Sequence, residues 1–435
     1  FSAYLPTTVA AILMLFITYK LHEELFSKKY AIISPLILST TYLWFDYSHL
    51  ATQDIVYSCL VTIGLFSLVK IKSKENKFYI LLFGIWIGLA FMIKTFLVFI
   101  PLISLLPYFF IKKNLLFSKF FWVGLLIGFI PYLFWTFSIN PYLEKNIIFY
   151  LVEKFNFLSS KNNFTNPFYY YLWNIPTTYL PWSFFAIIGT IQNISQSKDN
   201  KYILTFFPLI LIITLSIFST KTPYYTLQIS SIFSINAYVG VKYLFNSKRY
   251  NQIFLFITSK IIPLFIFSLT FTYYFFFKNN INFNSKENTF LILGLLFFGI
   301  SWSFLKPKNS FKELLIILII GPYLLTSFLL HSGLFTDRSR ELREKMEYVS
   351  SLDIVKNQPI KVDKSGIKNN LSQSKIIRIA LLTPKLGEGL ESIDQLKKSE
   401  LVWTTDLKKI NNKDFSFEVI YENDTLKPWK LILKN

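Results

Sequence analysis

Two carboxylates, Asp46 and Asp54, lie in the stretch YLWFDYSHLATQDIVY from Tyr42 to Tyr57, between apolar runs long enough to cross a bilayer. Of the 25 Asp and Glu residues only ten precede Gly333, and only these two sit where apolar segments meet without basic neighbours. Keeping an ionisable group at the edge of hydrocarbon costs several kcal/mol, so such groups are as a rule used. A carboxylate in that place can remove a proton from a hydroxyl or amine, or orient the group that does. The plain alternative, a turn residue beside lipid headgroups, fits Asp46 as well as function does and fits Asp54 less well. A second chemical element is STKTPYY, Ser219 to Tyr225, where Lys221 stands at a helix start. Its ammonium can hold a phosphate as a point charge, with Tyr224 or Tyr225 adding a hydroxyl hydrogen bond. Lys94, after GIWIGLAFMI, is a similar cation. His22, His49 and His331 are dispersed and Cys59 is the single cysteine, so no metal-ligand spacing and no intrachain disulfide is present.

The elements that position these residues are membrane helices. The chain is 53% hydrophobic, 19% aromatic and 16% charged, the composition of a polytopic membrane protein. Apolar runs predict about twelve transmembrane helices, near 2–19, 30–47, 53–69, 78–93, 95–111, 117–138, 174–192, 202–219, 223–245, 252–277, 288–305 and 313–332. Lysines and arginines then set the orientation. Eighteen fall in one alternating set of connections and seven in the other, which puts the Asp46–Asp54 loop, Lys94, the 139–173 loop, Lys221 and the tail on the outer side. The net charge of +20 is therefore topological, and no nucleic-acid patch is implied. The long outer loop carries Glu153 and Lys154, then Asn166-Pro167, an aromatic run through Tyr170, and Leu180-Pro181-Trp182; for any one of these aromatics an interfacial belt is the more ordinary account.

The fold class expected is an all-α polytopic membrane domain over 1–332, followed by a small soluble α/β domain over 333–435. In the tail a charged amphipathic helix is expected around Asp337 to Val355. IIRIALL (376–382), LVWTT (401–405), FSFEVIY (415–421) and WKLIL (429–433) read as strands, and the glycines of KLGEGLE, Gly387 and Gly389, as a loop.

The order of these segments resembles the GT-C polyprenyl-phosphate-dependent glycosyltransferases, in the aminoarabinose-transferase and protein O-mannosyltransferase-like branch. The family's second acidic residue falls on Asp54 in SHLATQD. Its Gly-Leu-Ala-then-Lys pattern falls on Gly88-Leu89-Ala90 and Lys94, and its aromatic loop running into a Pro-Trp helix start on Pro167 to Trp182. The Ser, Lys, Pro, Tyr element that meets lipid phosphate falls on Ser219, Lys221, Pro223, Tyr224 and Tyr225. The resemblance extends from residue 1 to about 245. It places one further helix and a loop bearing the catalytic base before Phe1, so the sequence reads as N-terminally truncated. The family's loop arginine or histidine is replaced by Glu153, Lys154 and Asn156.

The resemblance implies transfer of a sugar from a polyprenyl phosphate to a lipid, glycan or protein acceptor at the outer face of a bacterial inner membrane. Asp54, supported by Asp46, would serve acceptor or base. Lys221, Tyr224, Tyr225, Lys94 and Lys154 would hold the donor phosphate, and Glu153, Tyr170 and Trp182 would line the substrate loop. The resemblance names no certain cofactor, and a divalent metal ion is left open. The alternative reading is a lipid-linked sugar flippase or other transporter, which would place its polar groups near the bilayer midplane.

Overall fold

The structure, a computed structural model, describes residues 4–71, 76–139, 149, 151–153, 156, 165–196, 200–277, 285–334, 339–356, 358–367, 370–405 and 417–434. The chain divides into two compact units, Phe1–Thr336 and Asp337–Asn435.

The first unit is helical. Its helices are α1 (Leu5–Leu25), α2 (Ile33–Ser39), α3 (Tyr42–Ser48), α4 (Gln53–Lys70), α5 (Lys77–Lys94), α6 (Phe99–Ser104), α7 (Leu106–Ile111), α8 (Lys119–Ile139), α9 (Tyr170–Thr178), α10 (Ser183–Gln196), α11 (Phe207–Ile217), α12 (Ser230–Asn246), α13 (Asn251–Phe256), α14 (Ile262–Thr272), α15 (Ser285–Ser303) and α16 (Phe311–Ser332). Among the described residues six stretches are long and apolar enough to cross a membrane, including Leu5–Leu25, Gln53–Lys70, Lys119–Ile139 and Phe311–Ser332. Several of the twelve expected spans are instead broken. The 30–47 run becomes α2 and α3, and the 223–245 run becomes a 3-10 turn, Pro223–Ile229, leading into α12.

Side-chain registers give the direction of each pass. Thr7 of α1 donates to the Thr52 carbonyl at the head of α4 (3.2 Å), and Glu24 near the end of α1 pairs with Lys70 at the end of α4. The two helices therefore run parallel, and α2–α3 must return the chain between them. Tyr57 donates to the Leu97 carbonyl (2.9 Å) and Tyr108 to the Leu68 carbonyl (3.0 Å). Eleven residues along α4 thus match eleven residues of 97–108, about 16 Å of rise in the same sense. So the apolar stretch Lys77–Ser104 is not one pass: it reverses after Lys94, as the separate runs 78–93 and 95–111 predict.

Small residues allow the closest contacts. A Cβ on Gly84 would meet the Phe121 carbonyl at 2.3 Å, and one on Gly88 would meet Gly128 at 2.2 Å, so α5 and α8 pack backbone to backbone through paired Gly-x-x-x-Gly motifs. The far side of α8 exposes Leu126, Phe134 and Phe137, a surface suited to lipid and not to water.

The second unit holds helices α17 (Arg340–Ser351), α18 (Asp353–Lys356) and α19 (Asn370–Leu382), and strands β1 (Ile360–Asp363), β2 (Leu386–Leu390), β3 (Leu401–Thr404), β4 (Phe417–Tyr421) and β5 (Lys430–Lys434). The sheet order is β2-β1-β3-β5-β4, with β1 parallel to both β2 and β3 and β5 antiparallel to both β3 and β4. Fully buried Trp403 and Trp429 anchor its core. Two expectations fail here. IIRIALL is part of α19, because Ser372, Ile376, Ile379 and Thr383 are buried at helical spacing while Ile377 and Leu381 face out. The Gly387–Gly389 segment is strand β2, because the β1 edge pairs with it.

Candidate active site

Asp54 is the second residue of α4, after Thr52 in extended conformation (φ −122°, ψ 152°). Its carboxylate lies in the first turn, where the helix dipole favours an anion; Lys94 ends α5, where the dipole favours a cation. Because α4 and α5 are antiparallel, these two ends meet. Lys94 Nζ lies 2.7 Å from Asp54 Oδ1, with the side chains 8% and 12% exposed. Removing one partner of such a buried pair costs about 3–5 kcal/mol, since the other charge is left uncompensated.

The surroundings hold the pair in place. Thr95, next after Lys94, has φ 48° and ψ −120°, a left-handed conformation that is strained for a β-branched residue and lets the chain reverse directly after the lysine. The Tyr224 ring lies 5.5 Å from Lys94 Nζ, within cation–π range. Tyr224 is in turn packed against Tyr47 of α3 (5.8 Å between centroids) and Tyr225 (4.9 Å).

Lys221 occupies an adjoining loop and is 4% exposed. Its ammonium donates to the carbonyls of Asn166 (2.9 Å) and Phe218, while Asn166 Nδ2 donates back to the Lys221 carbonyl (3.0 Å). Thr165 and Thr220 form an antiparallel bridge, and Tyr171 donates to the Thr222 carbonyl (3.1 Å). Burial lowers the Lys221 pKa below the usual lysine value. The sequence read Lys221 as a phosphate ligand; in the structure two of its three donors stitch the 165–166 segment to 218–221.

The structure thus brings Asp54, Lys94 and Tyr224 together, with Tyr225 beside them. Asp46 is half-buried on α3, one residue before Tyr47. Tyr170 and Trp182 are buried; the Tyr170 hydroxyl accepts from Asn174 (3.2 Å) and the Trp182 indole donates to Thr40 (2.9 Å), so both are tied into the helix packing. Glu153 is exposed, and Lys154 lies outside the described residues. Tyr47 and the Thr95 backbone were not singled out from sequence. Tyr47 adjoins Asp46 in an aromatic run that hides it, and a threonine gives no sign of a conformation that glycine usually supplies. Among the described residues no group of three or more His, Cys, Asp and Glu is placed to hold a metal ion.

Residues 1–135, which contain Asp46, Asp54 and Lys94, match the family described as dolichyl-phosphate-mannose-protein mannosyltransferase. No curated protein matches by sequence. The crystal structure of ArnT from Cupriavidus metallidurans bound to undecaprenyl phosphate superposes with a TM-score of 0.72 at 13% identity, over 99% of this chain and 83% of that one. Its apo state gives 0.74 at 12% identity, with the same coverage of each chain. The fold is the GT-C fold. Helices α1 to α16 are therefore the GT-C membrane bundle, as the order of segments in the sequence implied.

Proposed function

We propose that the chain is an integral membrane glycosyltransferase that moves a sugar from a polyprenyl-phosphate donor to a lipid, glycan or protein acceptor. The reading assigns the reaction to the outer face of a bacterial inner membrane. The observation that supports it best is the buried Asp54–Lys94 pair, capped by Tyr224, in a GT-C bundle. The match of 1–135 to a mannosyltransferase family and the likeness to an ArnT structure holding undecaprenyl phosphate agree with it.

In this reading the bond between the sugar's anomeric carbon and the phosphate oxygen breaks, its electron pair leaving with the lipid phosphate. The acceptor oxygen or nitrogen bonds to that carbon, and its proton passes to a carboxylate at this end of the bundle. Asp54, fixed by Lys94, orients the acceptor and is supported by Asp46. Lys94 and Tyr224 lie where charge develops on the departing phosphate, and Tyr225 adds a hydroxyl; Lys221 and Lys154 complete the cationic set. Glu153 belongs to the loop that covers the substrate, whose walls Tyr170 and Trp182 shape.

A transfer assay tests this. Membranes containing the full-length protein are given radiolabelled polyprenyl-phosphate sugars. Label should leave the lipid for an acceptor only when the protein is present. Label that stays on the lipid but changes membrane face would overturn the transferase reading in favour of the flippase.

A further inference from the structure

Lys20, Lys29, Lys70 and Lys312 all lie at the end of the membrane unit away from Asp54. The end of α1 meets the end of α4 there, and the Tyr30 ring packs against Phe311 at the start of α16 (5.3 Å between centroids). The four lysines are of two kinds. Lys20 and Lys70 are neutralised by Glu23 and Glu24. Among the described residues Lys29 and Lys312 have no carboxylate partner, and both line a single groove between α2 and α16. The acid next to Lys312, Glu313, is committed to the capping box, where it accepts from the Ser310 backbone (3.1 Å) and from Asn309 (3.2 Å). Lys312 therefore stands in the first turn of a long helix, where the dipole disfavours a cation, with no anion of its own.

The groove has a volume of about 460 Å³. Beyond the lysines its walls are aliphatic, with Ile33 and Leu36 from α2 and Leu315, Ile316 and Ile319 from α16. Ile33, Leu315 and Ile319 are buried, while Ile316 is exposed and leaves the slot open to the surrounding hydrocarbon. No acidic residue lines it among the described residues. A larger groove of about 550 Å³, beside α10 and α13, is walled by residues such as Phe184, Ile188 and Phe254 and by no charged side chain, so nothing in it selects a headgroup.

We propose that the groove between α2 and α16 binds an anionic phospholipid of the leaflet away from Asp54, its phosphate held by Lys29 and Lys312 and an acyl chain lying along the aliphatic slot. Charge complementarity carries the choice of occupant: basic pockets between transmembrane helices take anionic headgroups, and two unneutralised ammoniums above an apolar slot match both parts of such a lipid. A phosphate at Lys312 also satisfies the dipole of α16. Tyr30 adds an aromatic ring at the headgroup level, with Lys29 Nζ 5.3 Å from its centroid. The lipid would tie α16 to α2, and the site stands whether or not the chain transfers sugar.

The purified full-length protein in neutral detergent is titrated with phosphatidylglycerol and with zwitterionic phosphatidylcholine of the same chains, and bound lipid is counted by native mass spectrometry. Wild type should hold one phosphatidylglycerol at least about tenfold more tightly than phosphatidylcholine. Lys29→Gln/Lys312→Gln should abolish that preference; both lysines are exposed, so the packing of the bundle is untouched. Ile316→Trp, which fills the slot and keeps both charges, should weaken the two lipids alike. Lys28→Gln/Lys308→Gln removes two neighbouring lysines outside the groove and should leave the preference in place. Equal affinity of wild type for the two lipids would overturn the inference. So would an equal loss in Lys28→Gln/Lys308→Gln, which would make the attraction a diffuse property of the basic face. A lysine-dependent loss seen for polyprenyl phosphate and not for phosphatidylglycerol would overturn it as well, giving the groove to the donor lipid.

Discussion

Helix α4 carries a carboxylate in its first turn and an ammonium at its last residue, each paired with a residue of another helix, and its two ends are unlike. Asp54 meets Lys94 with both side chains almost fully buried, 12% and 8% exposed. Lys70 meets Glu24 with 27% and 18% exposed, beside the surface pair Lys20–Glu23. Both pairs obey the helix dipole, so the dipole does not explain the difference. A pair that water still reaches contributes less and is screened by salt. A buried one carries a desolvation cost that an apolar pair would avoid. The Asp54 end also holds the strained Thr95 and the Tyr224 ring over the ammonium. One end of the bundle is arranged for solubility and orientation, and the other keeps costly features together.

The largest effect that can break this contrast is at Asp54. Asp54→Asn should lower transfer by about 100-fold or more, the scale of a lost acid–base or orienting group, with membrane insertion retained; near-normal turnover would reduce the buried end to a structural pair. Lys94→Gln comes next. It should destabilise the membrane unit by about 3–5 kcal/mol by stranding the carboxylate, read as a lower thermal midpoint in detergent. The double variant Asp54→Asn/Lys94→Gln sharpens the reading, since removing both charges should recover much of the stability and none of the transfer.

The sequence carried the bundle well, because lipid leaves few options for backbone groups and apolar length alone marks a span. It carried Asp54, Lys94 and Tyr224 as separate candidates, through charge scarcity and spacing. It did not show that Asp54 and Lys94 form one pair. That pairing depends on α4 and α5 being antiparallel with their ends in register, which the packing of the Trp86 ring of α5 against Gly64 of α4 holds. Nor did it show that Lys221 gives two of its three donors to the Asn166 and Phe218 carbonyls, because those partners come from a distant loop and from backbone. In the second unit, IIRIALL is apolar enough for a strand, and only the spacing of Ser372, Ile376, Ile379 and Thr383 makes it α19.

A smaller effect concerns Lys221 and pH. Burial penalises its charged form, so the ammonium is lost at a lower pH than for an exposed lysine. If that charge serves the donor phosphate, transfer should fall on the alkaline side before the usual lysine range, and Lys221→Arg, which stays charged, should move the fall to higher pH. The same depressed pKa means that the folded state bears a desolvation cost while Lys221 is protonated. Stability should therefore rise slightly as pH climbs through the folded pKa, opposite in sign to the change in activity. A pH–rate profile set beside a pH–stability profile separates the two.

The smallest expected effect lies at the other end of α4. Glu24→Gln removes the partner of Lys70 at the exposed end, where water can solvate the remaining ammonium and Lys70 also lies over the Phe66 ring at 5.8 Å. The cost should stay below about 1 kcal/mol, and raising the salt concentration should shrink it further. Transfer should be unchanged, because Glu24 pairs with Lys70 at the end of α4 opposite Asp54. A loss of transfer in Glu24→Gln comparable to that in Asp54→Asn would show that the two ends are coupled through α4, and burial would then no longer distinguish the working end from the supporting one.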